Sequence, residues 1–177
     1  MLLLSEIRKR AEGVAFNDDL SIKEELLNRD AGILDIKDVH VVGSVTYDQG
    51  LYLLNYKLDY IITLPSSRSM TPVELKESQL IDEIFIAQAD VADKKDMVEE
   101  NLVLVLEGEV IDLAESVIDN ILLNVPLQVL TEDEINGDDM PSGANWSVFT
   151  ESQYDKLRAK KKEADNPFSA LDGMFED

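Results

Sequence analysis

His40 is the only histidine in the chain, and cysteine is absent. A histidine acting as a general base needs a nucleophile or an orienting carboxylate beside it. His40 stands on the mostly polar register of an expected strand, so it reads as a solvent-facing or hydrogen-bonded side chain. Without cysteine there can be no disulfide, thiolate zinc site or cysteine nucleophile. The acids of Glu132–Gly143 invite a calcium reading. A calcium loop needs oxygen ligands at fixed offsets about a turning glycine, and Ile135 and Asn136-Gly137 interrupt them. Asn145-Trp146-Ser147 matches the glycosylation triplet by chance, since no secretory signal accompanies it. No Gly-rich phosphate loop, nucleophile elbow or metalloprotease helix is present. No enzyme constellation emerges, and no cofactor or metal is expected.

Two groups remain as contact candidates. Arg68 follows Pro65-Ser66-Ser67 at the end of the strongest strand, a position suited to RNA or an acidic partner. Lys156, Arg158, Lys160, Lys161 and Lys162 form a basic run that suits phosphate, or that simply solvates a helix.

The surrounding charge restricts what these bases can do. The 177 residues carry 37 acids against 16 bases, a net charge of −21. Such a field repels phosphate backbones and attracts basic partners. It is uneven: residues 1–89 have a net charge of −6, and residues 90–177 one of −15. An apolar fraction of 45% is enough to bury one ordinary core. The N-terminal apolar run stops after Leu4 and its bases come later, the reverse of a signal peptide. No stretch approaches the roughly 18 apolar residues of a membrane span. A soluble cytoplasmic protein, with no membrane contact, is expected.

The elements that must hold these groups follow from periodicity. Tyr52, Leu54, Tyr56, Leu58, Tyr60, Ile62 and Leu64 recur at a spacing of two. That spacing predicts an antiparallel strand with one buried face. Val39, Val41, Val45 and Tyr47 alternate before it, and Asp48-Gln49-Gly50 supplies a turn, so residues 38–64 read as a hairpin. Asp112 and Glu115 form a capping-box pattern ahead of a stripe of Leu113, Val117, Ile118, Ile121, Leu122 and Val125, which Pro126 ends. A strand at Leu102–Leu106 precedes this helix. Ser5–Glu12 suits a short helix, Val14–Ile22 a strand, and Lys23–Arg29 a helical turn. Val73–Ala89 suits either a helix or a strand.

From Thr131 to Asp155 there are seven acids and no base, broken by Gly137, Pro141 and Gly143, which reads as a mobile acidic linker. Thr150 and Gln153 resemble a capping box for a charged helix, Glu151–Asp165. Phe168, Leu171, Met174 and Phe175 then form an apolar tail that docks on its own domain or on a partner. The fold class is thus α+β: an antiparallel sheet with a packed amphipathic helix and a charged helical C-terminal tail. Residues 1–130 are expected as the core domain, 131–150 as the acidic linker, and 151–177 as the charged helix and apolar tail.

Four segments, in this order, resemble the bacterial YceD-like family, which is linked to accumulation of large-subunit (23S) ribosomal RNA. Gly43–Leu75 is similar to the family's glycine-led hairpin and its leucine-proline-cysteine-x-arginine-cysteine segment. Leu64, Pro65 and Arg68 match there, and Ser66 and Ser69 stand where cysteines are common. Val110–Leu130 is similar to the family's helix, through Ile111, Asp112, Leu113, Leu123 and Pro126. Gly143–Tyr154 is similar to a glycine-x-x-tryptophan and threonine-glutamate segment of Gram-positive members. In the tail, Asn166-Pro167-Phe168 keeps the family's proline but not its acid or arginine.

The resemblance implies a non-catalytic factor in 23S rRNA accumulation and large-subunit biogenesis. Its expected partner is a ribosomal protein or an rRNA-processing factor. Contact with 23S rRNA would be local, through Arg68 or Lys156–Lys162, with Phe168 and Phe175 as partner contacts. The oligomeric state is left open. The alternatives are an acidic adaptor or chaperone for basic proteins unrelated to ribosomes, and a metal-assisted hydrolase, which would need several carboxylates converging in a pocket.

Overall fold

The alternation at Tyr52–Leu64 becomes the central strand of the sheet in the computed structural model, which describes residues 1–30, 32–136, 142–149 and 151–164. The chain divides into two compact units, Met1–Val129 and Leu130–Asp177. The first unit runs β1 (Leu2–Leu3), α1 (Leu4–Ile7), β2 (Val14–Asp19), α2 (Lys23–Arg29), β3 (Asp35–Asp48), β4 (Leu51–Pro65) and β5 (Pro72–Ala87). A 3-10 segment, Gln88–Lys94, follows, then α3 (Lys95–Glu99), β6 (Leu104–Leu106), β7 (Val110–Ile111) and α4 (Leu113–Leu123).

The main sheet has strand order β2-β3-β4-β5-β6. Its first four strands are antiparallel neighbours, whereas β6 runs parallel to β5. The 3-10 segment and α3 form the crossover that a parallel pair requires. The α+β class therefore stands, with one parallel edge added to the antiparallel sheet.

The expected hairpin is β3–β4. Asp48 pairs with Leu51, and the two residues between them, Gln49 and Gly50, have φ of 46° and 91°. Two positive φ values in a two-residue loop match the right-handed twist of the strands. All seven residues of the alternation, Tyr52 to Leu64, are buried. They form one core with Leu4 and Ile7 of α1, Leu26 of α2, and Leu113, Val117, Ile118 and Ile121 of α4. Leu122, expected on the same stripe, is only partly buried at its margin. Gly43 is required by close approach. A Cβ there would lie 2.2 Å from the Asn55 carbonyl oxygen and 2.5 Å from Tyr56 Cβ.

Asp112 caps α4 as expected, accepting the Ala114 N–H at 3.0 Å. Glu115 does not complete a capping box; it pairs instead with Arg29 of α2 at 2.7 Å. The helix at Ser5–Glu12 shortens to Leu4–Ile7, and the strand at Val14–Ile22 ends at Asp19. The Val73–Ala89 ambiguity resolves as a strand. β5 pairs with β4 from Pro72↔Pro65 to Ile86↔Leu51, and Leu80, which a helix would have buried, is 79% exposed.

The second unit contains α5 (Glu132–Asn136), β8 (Ser142–Gly143), β9 (Trp146–Ser147) and α6 (Glu151–Ala164). The segment expected to be an acidic linker thus opens with a helical turn. Thr131 Oγ1 accepts the Glu134 N–H at 3.2 Å, and Glu134 Oε2 accepts the Thr131 N–H at 2.8 Å. That reciprocal capping box satisfies two otherwise orphaned donors. Thr150, the expected cap of α6, lies outside the described residues.

Candidate partner-binding surfaces

Arg68 sits on a loop that its neighbours fix. Ser66 is wholly buried, and its Oγ accepts the N–H groups of Arg68 at 3.1 Å and Ser69 at 3.3 Å. The Ser66 N–H donates to the Thr71 carbonyl at 2.8 Å. Ser67 bonds Val129 twice, N–H to carbonyl at 2.7 Å and Oγ to N–H at 3.0 Å. Arg68 is therefore an exposed residue on a loop with a defined backbone. Where the resemblance places a cysteine sulfur, Ser66 uses an oxygen to collect the loop's amides.

The basic run begins on α6, where Lys156 and Arg158 are exposed, as are Tyr154 and Leu157. Lys160, Lys161 and Lys162 continue that helix, but their side chains lie outside the described residues, as do Phe168 and Phe175. Arg68 belongs to the first unit and the basic run to the second.

His40 Nδ1 lies 2.7 Å from Asp19 Oδ1, across the β2–β3 pair. The ring is half-exposed on the sheet face turned away from α4.

Sequence reasoning missed a groove beside α4. It is about 360 Å³, with a floor of Phe85, Leu104 and Leu106 and a rim of Glu83, Glu107, Asp112, Glu115 and Asp119. No basic side chain lines it. Its acids come from three separate stretches of chain, so no run of charge announces it. Glu83 is held in place: Oε2 accepts the Ser116 hydroxyl at 2.6 Å and Oε1 accepts the Asn120 amide at 2.6 Å. Tyr56 OH lies 2.8 Å from Ser116 Oγ. Burial pushes the Tyr56 phenol up to about 12, and the nearby Glu83 charge adds to this. Arg29 of α2 reaches Glu115 at 2.7 Å and Asp119 at 3.0 Å. The rim acids do not make a metal centre: among the described residues no group of three or more His, Cys, Asp or Glu is placed to hold an ion.

Residues 54–175 match the family described as "Large ribosomal RNA subunit accumulation protein YceD". The chain belongs to that family. It is also 26% identical over 152 residues to "Uncharacterized protein YlbN" of Bacillus subtilis (strain 168), an alignment covering 85% of this chain and 82% of that protein. No solved structure matches it. The YceD match takes in most of β4, the Arg68 loop, the groove and α4. β2 and β3 precede it. Membership gives the protein a ribosome-related role, and the family's description names accumulation of an RNA rather than a catalysed reaction. Among the described residues no helix is long and apolar enough to cross a membrane.

Proposed function

We propose that this protein is a non-catalytic factor that supports 23S rRNA accumulation and large-subunit biogenesis by holding a basic protein, either a ribosomal protein or an rRNA-processing factor. The observation that carries this reading is the sign of its charge. An RNA-linked family member with a net charge of −21 is poorly suited to grip a polyanion along its backbone. RNA-binding proteins present lysine and arginine for that purpose, and an acidic surface complements theirs. Direct RNA contact is confined to Arg68 and Lys156–Lys162, and the apolar tail is an additional contact. The work is done in the cytoplasm, where ribosomes are assembled.

In-cell crosslinking followed by capture of the full-length protein, with and without ribonuclease, tests this reading. The expected result is that large-subunit ribosomal proteins or processing factors persist after ribonuclease. Recovery of such proteins only while RNA is intact would overturn the protein-holding mechanism. Capture of basic proteins with none from the ribosome would favour the acidic adaptor instead.

A further inference from the structure

The geometry points to the groove between β6 and α4 as the place where an arginine-bearing, extended segment of a basic protein docks. This inference rests on the reading that the acidic surface holds such a protein, and it goes further by naming the seat and the side chain. Three observations converge. The groove is walled by carboxylates yet floored by Phe85, Leu104 and Leu106, with Leu104 half-exposed. A free carboxylate binder needs no apolar floor, and a purely apolar ligand would not choose an acidic rim. An arginine fits both, since its aliphatic stem lies on apolar surface while its guanidinium reaches carboxylate oxygens.

The second observation is the size. At about 360 Å³ the groove falls at the small end of ordinary ligand sites, suited to one or two side chains rather than a folded domain. The third is a guanidinium already in place. Arg29 of α2 bridges Glu115 at 2.7 Å and Asp119 at 3.0 Å, giving one guanidinium nitrogen to each carboxylate. One arginine leaves the local charge far from neutral, because Glu83, Glu107 and Asp112 remain on the rim. Glu83 is also oriented before any partner arrives, by Ser116 and Asn120, which lowers the ordering cost of binding.

The test uses the full-length protein and a fluorescent synthetic peptide of alternating arginine and leucine, read by anisotropy. Glu107→Lys changes the rim at an exposed loop residue, and Leu104→Arg fills the floor. Glu100→Lys makes the same charge change as Glu107→Lys on an exposed residue outside the groove. The expected result is that Glu107→Lys and Leu104→Arg each weaken binding on the order of tenfold, and Glu100→Lys much less. Equal losses from Glu107→Lys and Glu100→Lys would overturn the groove and leave the acidic-surface reading standing. No binding of the peptide to the unmodified protein would also overturn the groove. The acidic-surface reading would then be judged separately, by crosslinking in cells.

Discussion

Ser116 on α4 donates its hydroxyl hydrogen to Glu83 on β5, with 2.6 Å between the oxygens. The single Ser116 hydroxyl proton is committed to Glu83, so the Tyr56 hydroxyl at 2.8 Å donates to Ser116 Oγ. The helix is thereby fastened to two strands through one small side chain. Ser116→Ala leaves the buried Tyr56 hydroxyl with only Asn120, at 3.4 Å. A loss of about 1–3 kcal/mol is expected, measured as a lower urea midpoint. Tyr56→Phe in the same background should recover part of it, because the stranded hydroxyl is removed.

Alkaline pH should act through the same tyrosine. Tyr56 and Tyr60 are both pushed up to about 12, chiefly by burial. In the unfolded chain each ionises near the ordinary tyrosine value of about 10. A raised value in the fold means that the neutral phenol is favoured there. Its contribution is complete below about 10 and is lost as pH rises toward about 12. Denaturation midpoints followed across that window should fall, and Tyr56→Phe should flatten the decline.

Placing a charge on α4 distinguishes its buried stripe from its margin. Ile121 is fully buried, so Ile121→Asp should cost several kcal/mol, comparable with the whole stability. Leu122→Asp should cost less, because Leu122 is only partly covered. Melting temperatures of the two variants should rank in that order.

Gly43→Ala should be far more harmful than one methyl suggests. The new Cβ would collide with backbone of the central strand at Asn55 and Tyr56, and neither can rotate away. A loss of about 3 kcal/mol is expected, read by denaturant unfolding.

Much of the fold was legible because its strongest signals are local. Alternation at Tyr52–Leu64 needs only period two, and Asp112 and Pro126 bracket α4 in the sequence itself. β5 was not legible because its core-facing register includes Glu77, Gln79 and Glu83, while Leu80 points outward. The partly buried polar groups there, Gln79 and Glu83, bond to Tyr60 and to α4, which the linear sequence does not reveal. The parallel pairing of β6 involves three residues and leaves no periodic trace. The Thr131–Glu134 capping box was present in the sequence, but the surrounding run of acids pointed to a linker. Arg68 was singled out through its place at a strand end, and the structure puts it on the loop that follows β4. The groove was not found, because Glu83, Glu107 and Asp112–Asp119 meet only in the folded chain.

Truncation after Asp165 separates two uses of the apolar tail. A lowered melting temperature would assign Phe168 and Phe175 to the protein's own fold. Unchanged melting with lost rescue of a depleted strain would assign them to a partner. If stability and rescue both survive, the tail has no docking role.

The central claim is that this protein supports large-subunit RNA. The most direct measurement is the ratio of 23S to 16S ribosomal RNA as the protein is depleted from the cells that make it. The ratio should fall, and it should recover when the intact protein is resupplied. A ratio that stays constant through full depletion would contradict the account.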